Sequence, residues 1–84
     1  MTLAVYVLDV PEFAPVVHTA RTAGMEVRRT GDYLELTTTE HEIVLRREGT
    51  GMRTALWHAM LTGGLDGRIV SFTAETLHLT QEGE

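Results

Sequence analysis

Hydrophobic and polar positions alternate so regularly in the first 48 residues that they predict a strand, a helix and three further strands. Residues 3–8 (LAVYVL) are apolar on both faces, with Leu3, Val5 and Val7 on one face and Tyr6 on the other. This composition is typical of a central strand that is covered on both sides.

A helix is predicted to follow this strand. Asp9 and Glu12 have the spacing of a capping box, and Pro11 suits the first helical turn. Pro15 predicts that the regular helix begins late, and Gly24 is a natural stop. Four apolar residues at helical spacing supply the buried stripe: Phe13, Val16, Val17 and Ala20.

Three strands are predicted next, at residues 25–30, 33–38 and 41–47. Folding the first two about Gly31-Asp32 places Val27 opposite Leu36 and Arg28 opposite Glu35. Apolar residues then meet apolar residues, and a basic residue meets an acidic one.

A second hairpin about Thr39-Glu40 would place Leu36 opposite Ile43 and Leu34 opposite Leu45. A single register then satisfies both hairpins, whereas a slip of one residue would mix the faces. The apolar face would contain Met25, Val27, Leu34, Leu36, Ile43 and Leu45. The polar face would contain Glu26, Arg28, Tyr33, Glu35, Glu42, Val44 and Arg46.

The second half of the chain predicts a helix and then a strand. Residues 52–61 match the helical template, although a strand over 54–61 stays open as an alternative. Residues 68–80 are interpreted as one long strand bent by a bulge at Ala74-Glu75, with a separate edge strand at 76–80 as the alternative.

The predicted fold class is therefore α+β, in the order β-α-β-β-β-α-β, with a mainly antiparallel curved sheet and the helices on one face. We assign residues 1–80 to a single domain and residues 81–84 to a flexible C-terminal tail.

Composition narrows the functional classes. A chain of 84 residues supports one small core, so we expect a homodimer that enlarges it. The net charge of −5 argues against nucleic-acid binding, and no apolar stretch is long enough for a membrane span. The absence of cysteine fits a cytoplasmic protein.

Motifs of common catalytic sites are absent from the sequence. The glycines form neither a dinucleotide-binding motif nor a P-loop, and the only serine, Ser71, has no sign of an activating base. No two of the four histidines have the spacing that binds a metal on a helix. We assign no catalytic residue, metal or cofactor, and a role other than catalysis is favoured.

The predicted polar face is the candidate ligand site. Fixed Arg groups and Tyr hydroxyls suit an anionic or oxygen-rich small molecule if the sheet curves around it. The alternative is a solvated face of cross-strand ion pairs, each worth a few tenths of a kcal/mol. The candidate ligand-binding residues are Tyr6, Arg28, Tyr33, Glu35 and Arg46.

The stretches VYVLDVPEF and AGMEVRRTGDYLELTTTEHEIVLRR resemble one module of the vicinal oxygen chelate superfamily, the group of glyoxalases, bleomycin-resistance proteins and extradiol dioxygenases. The resemblance covers about residues 2–47 and implies a βαβββ module with a cupped sheet. The positions that match the family's metal ligands are Thr2 and Val44, which cannot hold a metal. In the alternative alignment His58 would be a lone ligand, completed by Glu75 or by a partner chain.

Three functions are open at this point. The first is a non-metal small-molecule-binding or sequestering protein, homodimeric and similar to glyoxalase or bleomycin-resistance proteins. The second is a ferredoxin-like module that binds a protein partner. The third is a metalloenzyme of the oxygen-chelate type.

Overall fold

A computed structural model describes residues 2–81 and has the predicted α+β class, with its strands in two antiparallel sheets. The elements are β1 (Leu3–Leu8), a 3-10 turn (Pro11–Phe13), α1 (Ala14–Thr22), β2 (Glu26–Thr30), β3 (Tyr33–Thr38), β4 (Glu42–Arg46), α2 (Thr54–His58), a second 3-10 turn (Ala59–Leu61), β5 (Leu65–Asp66), β6 (Arg68–Phe72) and β7 (Thr76–Thr80).

Sheet A has the strand order β2-β3-β1-β5, and sheet B has the order β4-β7-β6. The first predicted hairpin is confirmed, because Val27 pairs with Leu36 and Arg28 pairs with Glu35. Gly31 has a φ of +65°, the positive value that a two-residue hairpin turn needs at its first central position. Strand β1 is central in sheet A, as predicted, but it is not covered on both sides, because on its outer face Tyr6 is half-buried and Leu8 is exposed.

Apolar side chains of both sheets and of the first helical region share one core. The predicted stripe of Phe13, Val16, Val17 and Ala20 is buried in it. The second helical region contributes Trp57 and Met60 to the same core. The strands contribute Leu3, Val5, Val7 and Leu36 from sheet A, with Ile43, Leu45, Leu77 and Leu79 from sheet B.

The helix begins late, as Pro15 predicted, with a 3-10 turn before the regular helix at Ala14. The predicted capping box does not form, since Val10 is the residue that caps this turn and it makes no side-chain capping bond. Asp9 instead pairs with Arg29 of β2, at 3.1 Å between Oδ2 and Nε. The acidic residue thus joins the helix entry to sheet A.

The predicted second hairpin is wrong. Strand β4 does not pair with β3 but with β7, where Ile43 lies opposite Leu79 and Leu45 opposite Leu77. The favoured two-residue hairpin turns need positive φ values, which disfavour residues other than glycine, and neither Thr39 nor Glu40 adopts one. The chain therefore crosses to sheet B here, and one predicted curved sheet becomes two.

The single bent strand predicted over residues 68–80 is also wrong. Strands β6 and β7 form an antiparallel hairpin. In the turn of this hairpin, Oγ1 of Thr73 accepts hydrogen bonds from the backbone N–H groups of Glu75 and Thr76. A bulge is present, but it lies between Ile69 and Ser71. The alternative of a separate strand at 76–80 is closer, although β7 is central rather than at the edge.

The predicted second helix is confirmed within residues 52–61. It buries Trp57 completely, and the indole N–H donates to the carbonyl oxygen of Thr73 at 2.9 Å. Phe72 packs against the same indole with its ring centroid 6.2 Å away. The helix is thereby fixed to the β6-β7 hairpin.

Gln81, which we assigned to a flexible tail, is buried and bonded. Its side-chain amide donates to the carbonyl oxygens of Thr39 and Glu40, and its backbone N–H donates to that of His41. The crossing between the sheets is held by these bonds. The other predicted tail residues, 82–84, lie outside the described residues. Among the helices of the described chain, none has the length and apolar character needed to cross a membrane.

Candidate functional site: a polar concavity on sheet A

Three of the predicted ligand-binding residues form a row across sheet A. Tyr6 of β1 is opposite Glu35 of β3, and Glu35 is opposite Arg28 of β2. Residues of β1 on either side of Tyr6, such as Val5 and Val7, face the buried core. Because successive strand residues point to opposite faces, the row lies on the outer face of the sheet.

Glu35 accepts bonds from both of its neighbours. The Tyr6 hydroxyl donates to Oε2 at 3.0 Å, and Nη2 of Arg28 lies 2.6 Å from Oε1. The Glu35 side chain is only 15% exposed, whereas that of Arg28 is 77% exposed. The carboxylate is therefore held in place, while the guanidinium keeps N–H donors directed to solvent.

The row lines an open concavity of about 870 Å³. Its walls come from sheet A and the end of α1: Thr2, Ala4, Tyr6, Arg21, Met25, Glu26, Val27, Arg28, Glu35, Thr37 and Asp66. Two guanidinium groups and three carboxylates are among them, so acidic groups outnumber basic ones.

The other two predicted residues lie apart from this concavity. Tyr33 is on the same face of β3, two residues before Glu35, but it lies at the end of the sheet beside Gly63. Arg46 is in sheet B and lines a separate hollow of about 340 Å³ with His18 and Glu48. The polar face was predicted to be continuous, but it is divided between two sheets because β4 belongs to sheet B.

Asp66 and Arg21 line the concavity although the sequence did not identify them. Asp66 belongs to β5, a strand of two residues that pairs Asp66 with Ala4. So short a strand has no alternation that sequence could reveal. Arg21 is in the last turn of α1, where its position resembles that of any solvated helix residue.

The residues considered as metal ligands do not converge. Thr2 lines the concavity on sheet A, whereas Val44 is on sheet B. The His58 ring lies 5.0 Å from Phe72, beside the core Trp as a flanking histidine. Glu75 lies 3.6 Å from Arg47. Within residues 2–81, no group of three His, Cys, Asp or Glu side chains is arranged to hold a metal ion.

The groups around Tyr6 change the pKa of its phenol. Its hydrogen bond to Glu35 raises the pKa of the phenol above the usual value of 10.0. Desolvation and the negative charges of Glu35 and Asp66 raise the pKa further, while Arg28 lowers it. The neutral hydroxyl is thus the form that the concavity favours.

We expect a Tyr33→Phe variant, which keeps Tyr6 as its only tyrosine, to show a phenol pKa raised above the usual value of 10.0 in a spectrophotometric titration. Folded protein binds this proton more tightly than unfolded protein does. The stability that the hydroxyl contributes is therefore complete below the unfolded pKa and is lost as pH rises through the folded pKa. Adding Glu35→Gln should return the pKa towards its usual value, whereas adding Glu26→Gln, on the same wall, should not. Equal effects of the two variants would contradict this account of the row.

Comparisons with known proteins give no relative for this fold or site, since no protein-family model, curated protein or solved structure matches the chain. The resemblance to the vicinal oxygen chelate superfamily stays a prediction.

Proposed function

We propose that the protein binds and sequesters a small, neutral, oxygen-rich molecule in the concavity on sheet A, without a metal and without catalysing a reaction. The observation that supports this most directly is the bonded row of Tyr6, Glu35 and Arg28 in the wall of an open hollow. Such a row offers hydroxyl, carboxylate and guanidinium groups side by side, which suits a ligand with several hydroxyl groups.

Charge favours this ligand over an anion, the other class that the sequence left open. Arg28, the cation of the row, is already paired with Glu35, and the wall carries more carboxylates than guanidinium groups. A ligand phosphate or carboxylate would therefore face a negative surrounding in addition to the protein's net charge of −5. A polyol has no such penalty and can both donate and accept hydrogen bonds.

Glu35, the centre of the row, is held in place before a ligand binds. Neighbouring strands hold Tyr6 and Arg28 on opposite sides of Glu35, so little side-chain freedom remains to be lost at the carboxylate. In a preorganised site, ordering of side chains on binding reduces the affinity less. Arg28, which is largely exposed, is the group that a ligand would immobilise.

Two measurements test the proposal. Native mass spectrometry of protein purified from its own source should show a retained small molecule. Thermal-shift titration with neutral monosaccharides and inositol should raise the melting temperature saturably, and the phosphate monoesters of the same compounds should bind more weakly. A preference for the phosphate esters, or the absence of both a retained molecule and any saturable shift, would refute the proposal.

A pair of arginine variants locates the site. Arg28→Gln should weaken binding by about tenfold, as expected for the loss of a charge-assisted hydrogen bond. Arg46→Gln is the matched control, because Arg46 lines a different hollow on sheet B. If Arg46→Gln weakened binding and Arg28→Gln did not, the ligand site would not be the concavity on sheet A.

Family membership and location stay predictions beside this proposal. Similarity to glyoxalase or bleomycin-resistance proteins rests on the sequence stretches alone. A cytoplasmic location rests on the absence of cysteine.

A further inference from the structure

Strand β6 is the feature of the molecule that the proposed ligand site leaves unused. It forms one edge of sheet B, and among the described residues only β7 pairs with it. Two large apolar side chains are exposed on it, Ile69 at 44% and Val70 at 49%. The bulge gives Val70 no counterpart on β7. Backbone groups and apolar surface are thus exposed together at one strand.

The other edges differ in composition. Strand β2 has charged residues at three of its five positions and β4 at two of five, while β5 is only two residues long. Charged side chains and short length are the usual protection of a sheet edge against pairing with another chain. Strand β6 (RIVSF) has a single charge, at Arg68, its first residue. Among the edge strands of five residues it has the fewest charged side chains, and the bulge at Val70 is the one other protective feature it carries.

We propose that β6 is the dimer interface, pairing antiparallel with β6 of a second copy of this chain about a two-fold axis. Sheet B would then continue through both copies in the order β4-β7-β6-β6-β7-β4. A two-fold axis uses the same edge in both copies, so the assembly closes as a dimer and exposes no further β6 edge. This inference is independent of the proposed ligand site, which lies on sheet A.

Charge complementarity supports a second copy as the occupant. With the axis near Val70, Arg68 of one chain lies opposite Phe72 of the other, next to the turn that carries Glu75. The Glu75 side chain is 71% exposed, and its contact with Arg47 is long, at 3.6 Å. Glu75 is therefore accessible to a second cation. Symmetry would create the Arg68 to Glu75 pairing twice, one at each end of the paired strands.

Light scattering after size exclusion tests the interface with full-length protein. We expect the wild-type chain to be a dimer at about 100 μM, and Val70→Lys to weaken dimerisation by at least about 100-fold, because it places a charge at the centre of the paired edges. Val44→Lys is the matched control, since Val44 is similarly exposed, at 40%, but lies on β4. It should leave the dimer intact.

A charge reversal keeps the test independent of folding defects in Val70→Lys. Arg68→Glu should weaken the dimer by about tenfold by placing like charges together at both ends, and adding Glu75→Arg should restore it. Melting temperatures would establish that each variant is folded. A monomeric wild-type chain would overturn the proposal and leave the edge to a different partner. A dimer disrupted by Val44→Lys but not by Val70→Lys or Arg68→Glu would overturn it as well.

Discussion

Replacing Trp57 with Ala is expected to lower the free energy of unfolding of this domain by about 3–5 kcal/mol. The side chain is fully buried between α2 and the β6-β7 hairpin, with Phe72 packed against it and its N–H bonded to the carbonyl of Thr73. Truncating a buried Trp costs about 3–5 kcal/mol. A domain of 84 residues has a total stability of about 4–13 kcal/mol. A loss of this size equals the whole stability at the lower end of that range and about a third of it at the upper end, so the melting temperature of Trp57→Ala should fall steeply.

Chemical denaturation followed by far-UV circular dichroism would measure this loss, since the variant lacks the only Trp of the chain as a fluorescent reporter. Trp57→Phe keeps the aromatic packing against Phe72 and should cost less, about 1–3 kcal/mol for the lost bond and the smaller ring together. Leu8→Ala, at a half-exposed position, is the surface control. A loss below about 1 kcal/mol for Trp57→Ala would mean that the indole is not a centre of the core.

Sequence reasoning succeeded where one local signal determines both a turn and a register. Gly31 supplies the positive φ of the β2-β3 turn, and the two-residue spacing then fixes Arg28 opposite Glu35. The row at the candidate site follows from that register, with Tyr6 added by the central position of β1. Arg28 and Glu35 could be paired from sequence because their strands share one tight turn, whereas β1 is apolar on both faces and its pairing with β3 was not predicted.

The partner of β4 could not be found in the same way. Ile43 and Leu45 alternate so that both face the core, and they do so whether β4 lies beside β3 or beside β7. Alternation identifies which face of a strand is buried, but it does not identify the neighbouring strand. Because Leu77 and Leu79 have the same spacing, the apolar pattern fits β7 equally well. Placing β4 beside β3 is also what put Arg46 among the candidate ligand-binding residues, although it lies on sheet B.

The turn between β6 and β7 escaped detection for a different reason. It contains no Gly, Pro or Asn, and its conformation depends on two hydrogen bonds that backbone N–H groups donate to the hydroxyl of Thr73. Threonine is also common within strands, so its presence at residue 73 does not distinguish a turn from a bent strand. The edge strand β6, and the interface that we infer for it, became visible only with the hairpin.

Gly63→Ala is expected to have the second large effect, although the residue lies in a loop. A Cβ at this position would lie 2.8 Å from Cε1 of Tyr33 and closer still to the carbonyl oxygen of Tyr6. Tyr6 is in the central strand of sheet A and its N–H donates to the carbonyl of Gly64 at 3.0 Å, so its backbone cannot move aside without breaking the ladder. Overpacking against such a backbone costs about 3 kcal/mol.

A comparison with Gly31→Ala separates this clash from backbone conformation. Gly31 has a φ of +65° and no atom within 4 Å of an added Cβ, so Ala there should cost only about 1–2 kcal/mol for the left-handed conformation. Urea denaturation of both variants measures the difference. Because the clash acts on the backbone of Tyr6, Gly63→Ala should also disturb the bond from Tyr6 to Glu35 and return the Tyr6 pKa towards its usual value, whereas Gly31→Ala should leave it raised. Equal losses of stability with an unchanged Tyr6 titration would show that the loop at Gly63 does not bear on sheet A.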